Sequence, residues 1–173
     1  MRAGGGLCSR VMSSIPENLL QVRSRIAQAC TAAGRSPQDV SLLAVSKTCP
    51  AEAVREAHAA GQRDFGENYV QEALAKIEAL ADLRPALCWH LIGPLQSNKT
   101  RVVAEAFDWV HSVDRLKTAQ RLSEQRPEGL PPLNICLQVN VSGEASKSGV
   151  APDELPALAR AVAALPRLRL RGL

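Results

Sequence analysis

Apolar residues recur along this chain at two alternating periods. From Pro16 the series Leu19, Leu20, Val22, Ile26, Ala27 and Cys30 returns at helical spacing, and Gly34 stops it. Ser13 or Ser14 is placed to cap that helix, with Glu17 in its first turn. Beyond it, short apolar runs of strand length alternate with amphipathic stretches. Strands are predicted at 40–47, 64–67, 87–93, 109–113, 133–141 and from 168 onward; helices are predicted at 50–61, 69–80, 99–105, 115–124 and 152–164.

The first and last strand starts, near residues 42 and 167, are five intervals apart, each about 25 residues and typical of βα units. Such alternation demands parallel pairing through right-handed crossovers, which leaves an open doubly wound sheet or a (β/α)8 barrel. The segment from 133 to 141 favours the barrel. Ile135, Leu137, Val139 and Val141 share one parity, while Asn134, Cys136, Gln138 and Asn140 share the other. One face of this strand packs on helices and the other meets something polar, as at a barrel mouth. No Gly-x-Gly-x-x-Gly follows the first strand, so the main signal of a dinucleotide fold is missing. A whole barrel takes eight units and about 250 residues. The expectation is therefore an α/β fold, a TIM-type barrel truncated to about its first six units, as one domain over 14–173. Residues 1–13, Gly-rich and without the apolar core of a signal peptide, are expected to be a disordered leader.

Composition narrows the function. The 173 residues are 46% hydrophobic, which suits a packed domain, and no apolar run approaches the about 18 residues of a membrane span. The excess of 21 Lys+Arg over 17 Asp+Glu is small and scattered, so neither nucleic acid nor membrane is an expected partner. Five cysteines, an odd number with no Cys-x-x-Cys, argue against a disulfide framework and make a reducing cytoplasm the expected location. The histidines show no metal-ligand spacing to one another or to a cysteine, so no zinc site is predicted.

Five lysines can be weighed singly. Lys76 and Lys117 fall on amphipathic helices and read as solvated faces. Lys99 and Lys147 lie in loops or at helix starts, where each meets an anion or nothing. Lys47 ends an apolar strand, at the edge where barrel enzymes place reactive groups. A lysine partly withdrawn from water there keeps more free amine, the form that captures a carbonyl; the plain alternative is a side chain snorkelling from a strand end. Asn68, in Phe65-Gly66-Glu67-Asn68-Tyr69, either lines the same rim or caps the following helix. His90, inside an apolar strand, reads first as a hydrogen-bonded core histidine. Ser142 to Gly149 is a polar loop that either faces a phosphate or is a solvated connection.

Several blocks together carry a resemblance. They are Ala44-Val45-Ser46-Lys47-Thr48, Phe65-Gly66-Glu67-Asn68-Tyr69-Val70-Gln71-Glu72, and Trp89-His90-x-Ile92-Gly93-x-Leu95-Gln96-x-Asn98-Lys99. Val139-Asn140, Ser142-Gly143-Glu144, Ser146-Lys147-x-Gly149 and Arg171-Gly172-Leu173 complete the set. In this the chain resembles the pyridoxal phosphate homeostasis protein family, which is similar to the barrel domain of alanine racemase. The resemblance implies a carrier of pyridoxal 5′-phosphate (PLP) that holds the cofactor as a lysine Schiff base without a catalytic reaction. By that resemblance Lys47 is the Schiff-base lysine, Asn68 and His90 line the cavity beside the pyridine ring, and Lys147 is a second lysine linked to cofactor handling. PLP-dependent apo-enzymes are the implied recipients, and the complete protein is implied to be a monomer. Two departures stand out: Thr48-Cys49-Pro50 replaces the Thr-Lys-Pro of many relatives, and the Gly/Ser-rich phosphate cup of the family is not in this sequence. The alternatives are a racemase- or decarboxylase-like PLP enzyme, which needs a second acid/base group and the domain that helps supply it, and a fragment that binds nothing.

Overall fold

A computed structural model describes residues 14–173; the leader expected at 1–13 lies outside the described residues. The chain divides into two compact units, one ending at Leu42 and one running from Leu43 to Leu173.

The first unit carries helix α1 (Ile15–Ala32). Of the two candidate caps, Ser14 does the work. Its Oγ accepts from the Glu17 N–H at 3.4 Å, and the Glu17 carboxylate accepts from the Ser14 N–H at 2.9 Å, a reciprocal capping box. Gly34, at φ +64°, turns the chain beyond the helix, and a single 3-10 turn follows at Pro37–Asp39.

The second unit alternates strands and helices: β1 (Ala44–Val45), α2 (Ala51–Ala59), β2 (Asp64–Glu67), α3 (Val70–Ala79), β3 (Cys88–Leu91), α4 (Thr100–Ala106), β4 (Trp109–Val113), α5 (Leu116–Gln125), β5 (Leu133–Leu137), α6 (Leu155–Ala163) and β6 (Leu168–Gly172). All pairings are parallel, and the spatial order is the chain order, β1 to β6. A doubly wound sheet must reverse direction at a switch point; this one never does, so its right-handed crossovers lay every helix on one face. That is the winding of a barrel wall.

Register sorts the side chains into two faces. Phe65 pairs with Trp89, and Val110 with Ile135; these, with Leu91, Leu133 and Leu137, are buried beneath the helices. The opposite, inner face carries a row that runs Val45, Gly66, His90, Trp109, Asn134 and Arg169 across the six strands. The parity read in 133–141 therefore holds over Leu133–Leu137; beyond the strand it fails, and Val141, expected on the helix-packed face, is 83% exposed. Arg126 fastens the underside: its buried guanidinium donates to the carbonyls of Ala104 (2.7 Å), Phe107 (2.8 Å) and Pro131 (2.9 Å).

Three strands are shorter than predicted, and the third in the chain, predicted at 87–93, narrows to Cys88–Leu91. The first shrinks from 40–47 to Ala44–Val45, because among the described residues only β2 lies beside it. The fifth stops at Leu137, with one further parallel bridge between Val139 and Val150. Asn140 diverts the chain there: its Oδ1 accepts from the Gly143 N–H at 3.1 Å and its Nδ2 donates to the Glu144 carbonyl at 2.9 Å. A short amide side chain bonding its own loop competes with the ladder. Among the described residues no helix is long and apolar enough to cross a membrane.

Candidate functional site

Lys47 lies just past the carboxyl end of β1 and is exposed. Its strand-end position predicts an amine partly withdrawn from water. The structure departs from this because β1 has a neighbour on one side only among the described residues, and Val45 beside it is itself 51% exposed.

The loop that presents Lys47 is nevertheless fixed on both sides. Ser46 Oγ donates to Glu67 Oε1 at 2.6 Å. The Thr48 N–H donates to Glu72 Oε1 at 2.5 Å, and Thr48 sits at φ +62°, a conformation that L-residues adopt at a cost. Lys76 joins these anchors. Its Nζ donates to the Ser46 carbonyl at 2.6 Å, to Glu67 Oε1 at 2.8 Å and to Glu72 Oε1 at 2.9 Å. The solvated face predicted for Lys76 is thus wrong: the residue is only 6% exposed, and Glu67 is fully buried. The reason is helical register. Val70, Ala73 and Lys76 share the buried stripe of α3, and a lysine is tolerated there only when paired. Burial opposes the Lys76 charge, but the hydrogen bonds to Glu67 and Glu72 outweigh it and hold the ammonium above its ordinary range. The same bond from Lys76, with the Thr48 N–H, lowers Glu72 below the usual carboxylate value. Lys117, by contrast, is exposed as predicted.

Asn68 follows β2 and is half-buried. It does not cap α3, whose N-cap residue is Tyr69 and lacks a side-chain cap bond. Its backbone instead packs so closely on Gly93 that a Cβ there would collide with the Asn68 carbonyl oxygen and Cα. Lys47, Asn68 and Ile92 stand two residues beyond Val45, Gly66 and His90, one register row, so Lys47 and Asn68 belong to the same rim as the His90 strand.

His90 is the centre of a polar chain on the inner face. It is 6% exposed and stacks on Trp109 with ring centroids 5.2 Å apart. Nε2 lies 3.1 Å from Asp64 Oδ1, and Nδ1 lies 3.0 Å from His111 Nε2. A carboxylate only accepts, so His90 Nε2–H donates to Asp64 and the neutral ring's Nδ1 accepts from His111. Burial pushes both histidines below their ordinary value. Cys88 Sγ lies 3.4 Å from His90 Nε2; burial and the Asp108 and Asp64 carboxylates push its thiol up to about 12. The Arg171 guanidinium lies over the Trp109 ring, 5.5 Å from its centre.

Lys147 stands apart from this rim. It is exposed and lines a cavity of about 340 Å³ with Ser146, Ser148, Arg115 and the residues after β3, at the β3–β5 ends rather than beside β1. Ser112 borders the same cavity with a buried hydroxyl that has no partner among the described residues. Missed from sequence are the pairing of Lys76 with Glu67 and Glu72, and the gathering of Asp64 and His111 around His90. The first left one trace, the i,i+4 spacing of Glu72 and Lys76.

A parallel sheet wound in chain order, with a polar helix-free face and the candidate side chains at its carboxyl ends, defines part of a (β/α)8-type barrel. The family description "Alanine racemase, N-terminal domain" matches residues 18–173. The chain is 74% identical over 162 residues to the pyridoxal phosphate homeostasis protein of Pseudomonas aeruginosa, covering 94% of this chain and 70% of that one. It is 60% identical over 163 residues to the Escherichia coli protein of the same name, again with 94% and 70% covered. Among solved structures it is similar to PipY of Synechococcus elongatus with PLP bound, at 45% identity and TM-score 0.78, covering 92% and 69%. Alanine racemase from Corynebacterium glutamicum, at 17% identity and TM-score 0.60 over 88% and 42%, shares the fold. This chain belongs to the pyridoxal phosphate homeostasis protein family, within the alanine racemase N-terminal domain class, and spans about 70% of the length of its curated relatives.

Proposed function

We propose that this chain binds pyridoxal 5′-phosphate and acts in its homeostasis, holding the cofactor through the Lys47 amine and running no reaction of its own. The supporting observation is the presentation of Lys47: an exposed primary amine at the carboxyl end of β1, with Ser46 and Thr48 on either side of it bonded to the Glu67–Glu72–Lys76 group. The residues present fit the aldehyde end of the cofactor, which supplies a carbonyl carbon to such an amine. Asn68 and His90, on the neighbouring strand ends, are assigned beside the ring, and Lys147 to cofactor handling. The names of the relatives and the PLP-bound PipY favour binding, and those names favour a carrier over an enzyme. The racemase reading has the shared fold alone behind it. PLP-dependent apo-enzymes as recipients, a monomeric complete protein and a cytoplasmic location belong to the same proposal.

Borohydride reduction in the presence of PLP, followed by mass spectrometry, tests it. The cofactor mass is expected on Lys47, and Lys47→Ala should lose it. Equal labelling in that variant, or a label confined to other lysines, overturns the assignment.

A further inference from the structure

The inner face holds a second constellation that takes its own ligand. Asp64 opens β2 and Cys88 opens β3, as register partners, and His90 stands two residues beyond Cys88 on the same face. We propose that Asp64 Oδ1, Cys88 Sγ and His90 Nε2 form a site for a tetrahedral divalent cation of the zinc class, with the fourth position open to water.

Geometry carries it. The three donor atoms lie within 4.8 Å of one another. His90 Nε2 is 3.1 Å from Asp64 Oδ1 and 3.4 Å from Cys88 Sγ. With metal bonds of about 2.0 Å to N or O and about 2.3 Å to S, the edges of a tetrahedral shell are about 3.3 Å for N–O and about 3.5 Å for N–S. Two edges of the shell are therefore already at length, set by backbone pairing in the sheet rather than by loops. His111 supplies the support that metal-bound histidines use, bonding the other ring nitrogen at 3.0 Å. The charge balances: one carboxylate, one thiolate and a neutral imidazole meet a dication. On binding, the Cys88 S–H bond breaks, its proton leaves to solvent and the sulfur lone pair bonds the metal. The His90 proton moves from Nε2 to Nδ1, which then donates to His111 Nε2, and the His111 proton moves to its own Nδ1. The Asp64 and Asp108 carboxylates, which resist an isolated thiolate here, favour a cation in the same place. His90 belongs to both readings, but Asp64 and Cys88 take no part in the proposed cofactor site, so variants at these two residues let the readings fail separately.

The test uses the full chain, reduced and stripped with a chelator, and Co²⁺ as the probe. One equivalent is expected to give a sulfur-to-cobalt charge-transfer band and visible bands of tetrahedral intensity, both bleached by Zn²⁺. Cys88→Ser should abolish the charge-transfer band, and Asp64→Asn should weaken Co²⁺ binding at least tenfold, as ligand loss exceeds the about 10–100-fold cost expected for His111→Ala at the supporting position. No saturable binding, or a band that survives in Cys88→Ser and vanishes in Cys49→Ser, overturns the site. X-ray absorption on the zinc-loaded wild type gives a reading that needs no variant to fold: one sulfur among N/O neighbours is expected, and a shell without sulfur refutes it.

Discussion

Lys76 Nζ donates to the carbonyl oxygen of Ser46 at 2.6 Å, so the residue immediately before Lys47 is held by a buried ammonium from the next helix but one. The lysine assigned to the cofactor is thus positioned by another lysine, which it is separated from by 29 positions in sequence and by one hydrogen bond plus one peptide link in space. Removing Lys76 leaves Glu67 buried without its cation. Lys76→Met is expected to cost about 3–5 kcal/mol, the range for breaking a buried pair, read as a lower midpoint in urea. The surviving folded protein should also trap less PLP at Lys47 than wild type under equal borohydride treatment; undiminished trapping would show that the bond to Ser46 does not position the amine.

The same group sets a pH window. Glu72 lies below its ordinary value of 4.5, so its contribution is present above that pH and is lost as pH falls through the lower, folded value. Lys76 lies above its ordinary 10.5, so its contribution is full below that pH and is lost as pH rises through the higher, folded value. Melting temperatures of wild type and Glu72→Gln should therefore differ at neutral pH and converge in acid, where both side chains are uncharged. A constant gap down to the acid limit would contradict the depressed carboxylate.

Gly93→Ala should destabilise by about 1–3 kcal/mol, the usual cost of overpacking, because the new methyl meets backbone atoms of Asn68 rather than a flexible side chain. Thermal melts measure this. The substitution also moves Asn68, so PLP affinity should fall with stability; a melting temperature equal to wild type would mean the β2 and β3 ends separate freely.

Arg126→Leu is expected to cost at least about 2 kcal/mol, since the carbonyls of Ala104 and Phe107 each lose a donor in a buried position at about 1–3 kcal/mol, whereas that of the exposed Pro131 turns to water. Chemical denaturation gives the value. A loss under about 1 kcal/mol would mean that water replaces the guanidinium.

How far these features can be read from sequence depends on whether they are local. The two faces of β5 are plain in the alternation of Leu133, Ile135 and Leu137 with Asn134 and Cys136, because a strand writes its faces at period two. The order of elements follows for the same reason. What the pattern hides is pairing between elements. Lys76 shares its helical stripe with the buried Val70 and Ala73, yet a lysine there reads as solvated until Glu67 of β2 and the Ser46 carbonyl just past β1 arrive to bond it. Cys88 and His90, two apart, carry no ligand spacing recognisable in a helix or loop; parallel register with Asp64 gives them their third member. Lys47 is legible as a strand-end lysine, the chemistry proposed for it rests on family resemblance, and its exposure follows from β1 being flanked on one side only among the described residues.

The match between spatial order and chain order has a consequence for biogenesis. Each strand pairs with the one synthesised just before it, so every βα unit leaving the ribosome finds its docking edge already built. Among the described strands, assembly can advance as a zipper from the amino end, each new strand closing on the growing front while the outer edge of β1 stays open.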